Sequence, residues 1–477
     1  MNRSDDPADL FCQLHDELSD AALSRDRAWR RNAHLDALTA EVRGFALDLR
    51  LDPPWLASRL QEIGKRVHDE QAATWAAARG LDQALAECHP TQAAPAGQAM
   101  PSALKRQIGS RYTAKGRLDT GAAGGALLPK LVETGRRGES TANRSQAFAA
   151  VHRVSAAAFD SPHVDFSRVS SAHDPVVRAR DGTPGVVVAF APMLGSLGDD
   201  LHLEPKDDEG AHFFVGTPIV DVVKERIRTV LRRMDESGAM LGICPELALS
   251  EDLLDEWRLA VKEREGRAGS SLEWIFVGSG PFSGPDGAPP YNRGVLLNRR
   301  TGRAVYSQDK LFPFTLMPDQ SREWGLGHKF KTRVDEWMTA GDKLRIRETG
   351  WGRLAILICE DLAKLLEEKV GRLIADFGVS MVIAPVFSKE VEKFRWEHQQ
   401  SRAYADQLGT MTAVANSLVV PRAVGARGDV GTCLVNAPGA VQIGRSRHAD
   451  QISVFWLTAR GVEAPSTHPV VTDELGR

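Results

Sequence analysis

The sequence lacks the features of a membrane protein, a secreted protein or a disulfide-stabilised protein. No window approaches the roughly 18 consecutive apolar residues that a membrane-spanning helix needs, and the acidic, polar N-terminus does not resemble a signal peptide. The five cysteines are widely spaced and form no CxxC pair, so they predict neither a zinc site nor a disulfide framework. These absences predict a cytoplasmic protein that needs no metal and does not enter a membrane.

Aromatic residues and net charge are also scarce, and both limit the partners that we expect. Aromatic residues make up 6% of the chain and the formal net charge is −3, which favours neither a base-stacking surface nor a polyanion-binding protein. One segment differs, because residues 101–150 contain nine Lys and Arg against three Asp and Glu. We interpret this excess as a solvated tether; a basic arm for an anionic partner such as nucleic acid is the last-ranked alternative.

The 477 residues divide into four regions by pattern. Residues 1–89 carry apolar residues at helical spacing and predict a helical region, with Asp52 and Pro53 at the start of one helix. Residues 90–180 are rich in Ala and Gly and predict a basic, poorly ordered linker. Residues 181–465 alternate apolar strand-like runs with amphipathic helices and predict a layered α/β domain, and residues 466–477 are a tail.

Three polar side chains follow apolar strands of the predicted α/β domain. Glu246 follows the run that begins at Leu241, Lys310 follows Ser307-Gln-Asp, and Cys359 ends the run that begins at Leu354. Ligand sites of α/β sheets lie beyond the carboxyl ends of strands, so we expect these groups to lie close together. A carboxylate, an ammonium and a thiol can act as base, electrostatic stabiliser and nucleophile.

These residue types are sufficient for hydrolysis at a carbonyl carbon. Glu246 would take the thiol proton, Lys310 would favour the thiolate, and Cys359 would attack the carbonyl. The Lys310 ammonium and the backbone N–H of Glu360 would hold the negative charge of the tetrahedral intermediate. Glu246 would then protonate the leaving amine and activate water. The chemistry is complete with side chains and water, so no cofactor is implied.

The ordered motifs from about residue 184 to 460 resemble the nitrilase, or carbon–nitrogen hydrolase, superfamily. The matching segments are Pro245-Glu246-Leu-Ala-Leu-Ser250, Tyr291-Asn-Arg-Gly-Val-Leu-Leu-Asn298, Asp309-Lys310-Leu-Phe-Pro313, Gly352-Arg-Leu-Ala-Ile-Leu-Ile-Cys359-Glu-Asp361 and Gly431-Thr-Cys-Leu-Val-Asn-Ala-Pro-Gly439. The resemblance implies an α-β-β-α sandwich preceded by the helical N-terminal region. It implies Glu246 as general base and acid, Lys310 as stabiliser of the intermediate and Cys359 as nucleophile.

The resemblance also implies a second glutamate, between the lysine and the cysteine, that positions substrate. Glu323 is the first choice and Glu336 the alternative, because the segment between Lys310 and Gly341 is longer than is usual in the family. Both could equally be surface acids on a loop. Glu360 is the other candidate substrate-binding residue.

The resemblance implies a hydrolase that cleaves a small amide, carbamoyl or ureido compound through a thioester acyl-enzyme. Glu360 and Asp361 follow the nucleophile where nitrilases usually carry an aromatic residue, which favours amide over nitrile hydrolysis or acyl transfer. The Cys-Glu-Asp sequence also resembles glutaminase domains, so an ammonia-releasing subunit is one alternative, although no ammonia-consuming domain follows in this sequence. A non-catalytic sensing module on the same fold is another. The partners expected are a small amide-type substrate, a second copy of the chain in a homodimer or larger oligomer, and a protein bound through the N-terminal region.

Overall fold

The structure is a computed structural model. It describes residues 5–23, 26–88, 102–115, 117–120, 124–129, 148, 150–170, 173, 178–180, 183–206, 212–214, 217–218, 220–264, 270–284, 287–364, 369–458 and 461–463. The predicted tail, residues 466–477, lies outside the described residues.

Helices occupy the N-terminal part of the chain and recur between the later strands. They are α1 (Pro7–Glu17), α2 (Asp20–Leu23), α3 (Asp26–Trp29), α4 (Ala33–Leu47), α5 (Pro53–Val67), α6 (Glu70–Ala86), α7 (Ala103–Lys115), α8 (Ala156–Phe159), α9 (Val220–Glu236), α10 (Glu251–Glu263), α11 (Pro318–Glu323), α12 (Glu360–Lys364), α13 (Lys369–Asp376), α14 (Trp396–Ala403) and α15 (Val419–Ala423). A π-helical turn, Tyr404–Leu408, extends α14.

Strands begin before the predicted α/β domain and continue to its end. They are β1 (Leu118–Asp119), β2 (Ala126–Pro129), β3 (Val151–Val154), β4 (Val164–Arg168), β5 (Arg178–Arg180), β6 (Thr183–Phe190), β7 (Leu201–His202), β8 (His212–Phe214), β9 (Thr217–Pro218), β10 (Leu241–Ile243), β11 (Trp274–Phe282), β12 (Tyr291–Asn298), β13 (Ala304–Asp309), β14 (Thr315–Leu316), β15 (Val334–Trp337), β16 (Leu344–Thr349), β17 (Gly352–Ile356), β18 (Met381–Val386), β19 (Met411–Asn416), β20 (Val430–Ala437), β21 (Ala440–Ser446), β22 (Ser453–Thr458) and β23 (Gly461–Glu463).

Two mixed sheets form the centre of the C-terminal part of the chain. One has the order β13-β12-β11-β10-β6-β22-β23, with β5 paired to β6, and the other has the order β21-β20-β19-β18-β17-β16-β4. Within them β10 runs parallel to β6 and β11, and β17, β18 and β19 run parallel to one another. In each sheet, parallel strands end at the same edge. Strand β10 belongs to the first sheet and β17 to the second, so the polar residues that follow them lie at the edges of two different sheets.

The two sheets pack face to face, and helices cover their outer faces. Phe190 and Phe276 of the first sheet share one buried cluster with Ile356 and Val414 of the second. On the other face of the first sheet, α9 and α10 bury residues such as Val223 and Trp257. Helix α14 lies against β19 and β20 of the second sheet. This order of layers confirms the α-β-β-α sandwich predicted from the sequence.

The described residues of the predicted helical region, 5–23 and 26–88, are mainly helical. The apolar positions of α1, α4, α5 and α6 share a buried cluster around Trp75. Asp52 caps α5 by accepting a hydrogen bond from the Trp55 N–H at 3.0 Å, and Pro53 is the first residue of that helix.

Some described residues of the region predicted as a linker, residues 90–180, form regular secondary structure, and other residues of that region lie outside the described ones. Strands β1, β2 and β3 form a three-stranded sheet, and Leu104, Leu118 and Leu127 pack into the cluster of the helical region. Strand β4 pairs in parallel with β16 and so belongs to the second sheet of the sandwich. The composition of residues 90–180 shows only that polar and small residues are frequent. It does not predict these contacts, because their partners are distant in the sequence.

None of the helices within the described ranges is long and apolar enough to cross a membrane.

Candidate active site

The three residues singled out from the sequence lie together between the two sheets. Glu246 follows β10 and Lys310 follows β13 of the first sheet, while Cys359 follows β17 of the second. The backbone N–H of Lys310 donates to the carbonyl oxygen of Asn292 at 2.8 Å, which ties it to the neighbouring strand β12. Each residue therefore comes from the end of a different strand.

Lys310 is bonded to two carboxylates. Its Nζ donates to Oε1 of Glu246 at 2.8 Å and to Oε2 of Glu336 at 2.7 Å. Asn292 holds the same pair, because its Nδ2 donates to Oε1 of Glu246 and to Oε1 of Glu336, each at 3.0 Å. The Phe314 N–H donates to the second oxygen of Glu336 at 2.9 Å. The ammonium is thus fixed at the centre of a buried polar cluster.

Cys359 sits on a sharp turn between β17 and α12. Its φ of 49° lies in the left-handed region, which a non-glycine residue adopts at some cost. The Cys359 N–H donates to the Pro385 carbonyl oxygen at 2.9 Å. The Cys359 side chain lines the same pocket as Glu246 and Lys310, and both of these groups act electrostatically on the thiol. This turn presents the sulfur beside the carboxylate that the chemistry requires as a base.

The electrostatics of the cluster favour a protonated thiol and a charged lysine. Burial raises the pKa of Cys359 well above its ordinary value, and the Glu246 carboxylate adds to this, while Lys310 only partly opposes it. Burial would lower the pKa of Lys310, but the carboxylates of Glu246 and Glu336 outweigh burial and raise it well above its ordinary value. Lys310 thus favours the thiolate in the direction expected from the sequence, but burial and Glu246 outweigh it.

Burial also raises the pKa of Glu246, aided by the negative charge of Glu336 and opposed by Lys310. A base with a raised pKa holds a proton more firmly once it has taken one. Proton transfer from Cys359 to Glu246 can therefore accompany attack on a carbonyl carbon.

Asp361 connects the turn that carries Cys359 to the loop that follows Lys310. Its Oδ1 accepts hydrogen bonds from the N–H groups of Leu311 at 3.0 Å and Phe312 at 2.9 Å, and its Oδ2 accepts one from Ile358 at 3.1 Å. Burial raises the pKa of Asp361 to about 7, against the opposing effects of Lys310 and these three donors. The buried carboxyl thereby fixes the spacing between the lysine and the thiol.

A pocket opens over the cluster. It contains about 420 Å³ of space unoccupied by atoms, including the solvent at its mouth. Its polar lining residues are Glu246, Lys310, Glu336 and Cys359, and its apolar lining residues are Leu203, Leu247, Phe314, Leu316, Trp324, Phe330 and Phe387. Within the described ranges of the chain, no group of three His, Cys, Asp or Glu side chains is placed to hold a metal ion.

Comparison with known proteins identifies similar folds rather than close relatives. No protein-family model and no curated protein match the sequence. Among solved structures, the chain resembles the glutamine-dependent NAD+ synthetase of Acinetobacter baumannii, with 15% identity and a TM-score of 0.40 over 60% of this chain and 48% of the synthetase. It thus spans about half the length of that enzyme.

Two other solved structures match a similar share of the chain. Nit3 of Saccharomyces cerevisiae, a member of the nitrilase superfamily, has 17% identity and a TM-score of 0.37 over 57% of this chain and 90% of its own. A carbon–nitrogen hydrolase of Helicobacter pylori has 14% identity and a TM-score of 0.36 over 57% and 88% of the two chains.

The side chains of Glu323 and Glu360 do not join the polar cluster around Lys310. Glu323 ends α11, is 43% exposed at its side chain and pairs with Lys389. Glu360 pairs with Lys364 at 3.3 Å, and it is not among the residues that the structure shows lining the pocket. It is Glu336, the alternative to Glu323, that contacts Lys310.

Two further residues of the site, Asn292 and Asp361, belong to the sequence motifs but had no predicted role. Asn292 bridges both carboxylates, and Asp361 accepts three backbone hydrogen bonds. Asn292 carried a usable signal, because it is a polar residue near the start of an apolar strand. Asp361 carried little, since an acid next to Glu360 at a helix start is commonly a surface residue.

Proposed function

We propose that the protein is a thiol-dependent carbon–nitrogen hydrolase of the nitrilase superfamily. It cleaves a small amide-type substrate through a Glu246, Lys310 and Cys359 triad, with Glu336 as a positioning residue for the lysine. The observation that carries the proposal is the position of Lys310, bonded to Glu246 at 2.8 Å and to Glu336 at 2.7 Å in a pocket that Cys359 also lines. The ordered motifs around these residues support it.

The first half-reaction forms a thioester. The Cys359 sulfur attacks the amide carbonyl carbon while its proton passes to Glu246, and the carbonyl oxygen becomes an oxyanion beside Lys310 and the Glu360 N–H. The oxyanion collapses, the C–N bond breaks, and protonated Glu246 gives its proton to the departing amine.

The second half-reaction consumes one water. Glu246 removes a proton from the water as its oxygen attacks the thioester carbon. Collapse of the second tetrahedral intermediate breaks the C–S bond, releases a carboxylic acid and returns the proton to the sulfur. The net reaction is amide plus water giving carboxylic acid plus amine or ammonia.

The test is intact-protein mass spectrometry during turnover of simple amides. The wild type is expected to release ammonia and to gain the mass of one acyl group, whereas Cys359→Ala gains no mass and releases no ammonia. Cys88→Ala, a buried cysteine at the end of α6, is the matched control and should behave as the wild type. Unchanged activity in Cys359→Ala would refute the proposal, and tight amide binding without turnover by the wild type would favour a sensing module.

A further inference from the structure

The pocket beyond the reacting groups has an apolar wall. Apart from the polar cluster, all seven of the described lining residues are aliphatic or aromatic. Four of them, Phe314, Leu316, Trp324 and Phe330, come from the long segment between Lys310 and Gly341. The same segment supplies Glu336, so one stretch of chain both positions the lysine and shapes the space for the substrate.

The aromatic part of this wall is held in place by ring packing. The Trp324 indole stacks on Phe314 with ring centroids 6.3 Å apart and planes 11° apart. Phe387 packs against the indole in a T-shaped arrangement, with ring centroids 5.7 Å apart. Trp324 is 6% exposed, so its position depends on these neighbours rather than on solvent.

The charges around the pocket disfavour an anionic substrate group. Among the described residues that line the pocket, Lys310 carries the positive charge, and its ammonium is already bonded to two carboxylates. A carboxylate entering the pocket would lose its water and meet the negative charge of Glu246 and Glu336 without a free cation. Two of the lysines near the lining residues are paired with carboxylates, since Lys389 pairs with Glu323 and Lys329 lies 3.7 Å from Glu204.

Resting on the proposed function, we infer that the substrate is the amide of an uncharged, apolar carboxylic acid, and that Trp324 determines how much acyl group is accepted. The apolar wall stabilises the acyl chain in the Michaelis complex and in the transition state by removing its surface from water. Glutamine and ureido acids carry a carboxylate that this wall does not satisfy. The inference therefore counts against the glutaminase alternative.

The direct test compares two amides of the same shape. In 4-methylpentanamide an isopropyl group occupies the place of the carboxylate of succinamate, so the two substrates differ in charge and polarity but hardly in size. We expect kcat/KM for ammonia release to be at least about 100-fold higher for 4-methylpentanamide. Acetamide, glutamine and an N-carbamoyl amino acid complete the panel.

Each outcome of this panel has a distinct meaning. Equal or faster turnover of succinamate, glutamine or the carbamoyl compound would overturn the inference but leave the hydrolase intact. Absence of turnover and of acyl-enzyme with every amide would refute the proposed function itself. Turnover of acetamide with no gain for 4-methylpentanamide would also overturn the inference, since an apolar wall must favour the longer acyl chain.

A second measurement tests Trp324 as the specificity residue. Trp324→Ala removes the indole, so the ratio of kcat/KM for 4-methylpentanamide to kcat/KM for acetamide, which is too short to fill the pocket, should fall about tenfold or more. Trp324→Phe should recover most of the ratio. An equal loss for both substrates would show that Trp324 supports the fold or the cluster and does not select the acyl group.

Discussion

Lys310 is held by two carboxylates at once, and this distinguishes it from an ordinary buried ion pair. Glu246 must leave part of its interaction with the lysine in order to take a proton from Cys359. Glu336 keeps the ammonium in place while that happens, and Asn292 holds the two carboxylates at a fixed spacing. A second carboxylate therefore lets one glutamate work as a base without losing the lysine.

Replacing Glu336 tests this division of labour. Glu336→Gln should lower kcat/KM at least about 100-fold, because Lys310 then pairs with Glu246 alone and the base becomes less available. Glu323→Gln is the matched control. It removes a half-exposed ion pair with Lys389 and should change kcat/KM less than about threefold. The reverse order of effects would return Glu323 to the role first expected from the sequence.

The pH dependence of activity should show the raised pKa of Glu246. The base must be ionised to accept the thiol proton, so activity is lost as pH falls through that pKa. Since burial raises it from the ordinary 4.5, the acid limb of the kcat/KM profile should have its midpoint above 4.5. Circular dichroism over the same range separates this limb from unfolding, and a midpoint at or below 4.5 in folded protein would contradict the assignment.

At the scale of elements, two strand-to-helix turns bring the reacting groups together. Cys359 has a φ of 49° and Leu247, directly after Glu246, has a φ of 62°. Both are left-handed conformations at non-glycine residues, which only surrounding contacts can maintain. For the turn after β17, those contacts include the three backbone hydrogen bonds to Asp361.

Asp361→Ala should therefore destabilise the protein. It leaves one buried and two partly buried N–H groups without their acceptor, and the free energy of unfolding should fall by about 2–5 kcal/mol. Glu360→Ala, the neighbouring residue, loses only a part-exposed pair with Lys364 and should cost about 1 kcal/mol or less. Urea unfolding measures both values, and similar small losses would show that Asp361 does not hold the turn.

At the scale of the whole molecule, the helical region and the sandwich are joined through short structured segments. Asp82 of α6 accepts hydrogen bonds from the N–H groups of Ala150 at 3.0 Å and Val151 at 2.8 Å, where β3 begins. One residue later, the His152 ring lies 2.7 Å from the Asp376 carbonyl oxygen at the end of α13. The start of β3 is thus bonded to α6 of the helical region and to α13.

Replacing Asp82 tests whether this attachment matters for stability. Asp82→Ala leaves two buried N–H groups unsatisfied and should lower the free energy of unfolding by about 2–4 kcal/mol. Asp36→Ala is the control, because it removes a carboxyl of α4 that is 54% exposed and pairs with Arg79. Thermal unfolding followed by circular dichroism reports both. A loss for Asp82→Ala no larger than that for Asp36→Ala would support the tether interpretation of residues 90–180.

The sequence by itself determined the elements whose pattern is local. Helical spacing located α4 and α5, Asp52 and Pro53 marked a helix start, and apolar runs located β10, β17 and β18. The ordered motifs also predicted that Glu246, Lys310 and Cys359 belong to one site. Local pattern suffices here because hydrophobic period and strand ends are properties of consecutive residues.

Only the tertiary structure decided the relations between distant residues. In the structure, Glu336 rather than Glu323 contacts Lys310, and β4 pairs with β16. Burial also raises the pKa of Cys359 by more than Lys310 lowers it. Each of these depends on which segments lie side by side and on how much water they exclude. Spacing along the chain does not contain that information, because contact and desolvation arise only when the two sheets pack.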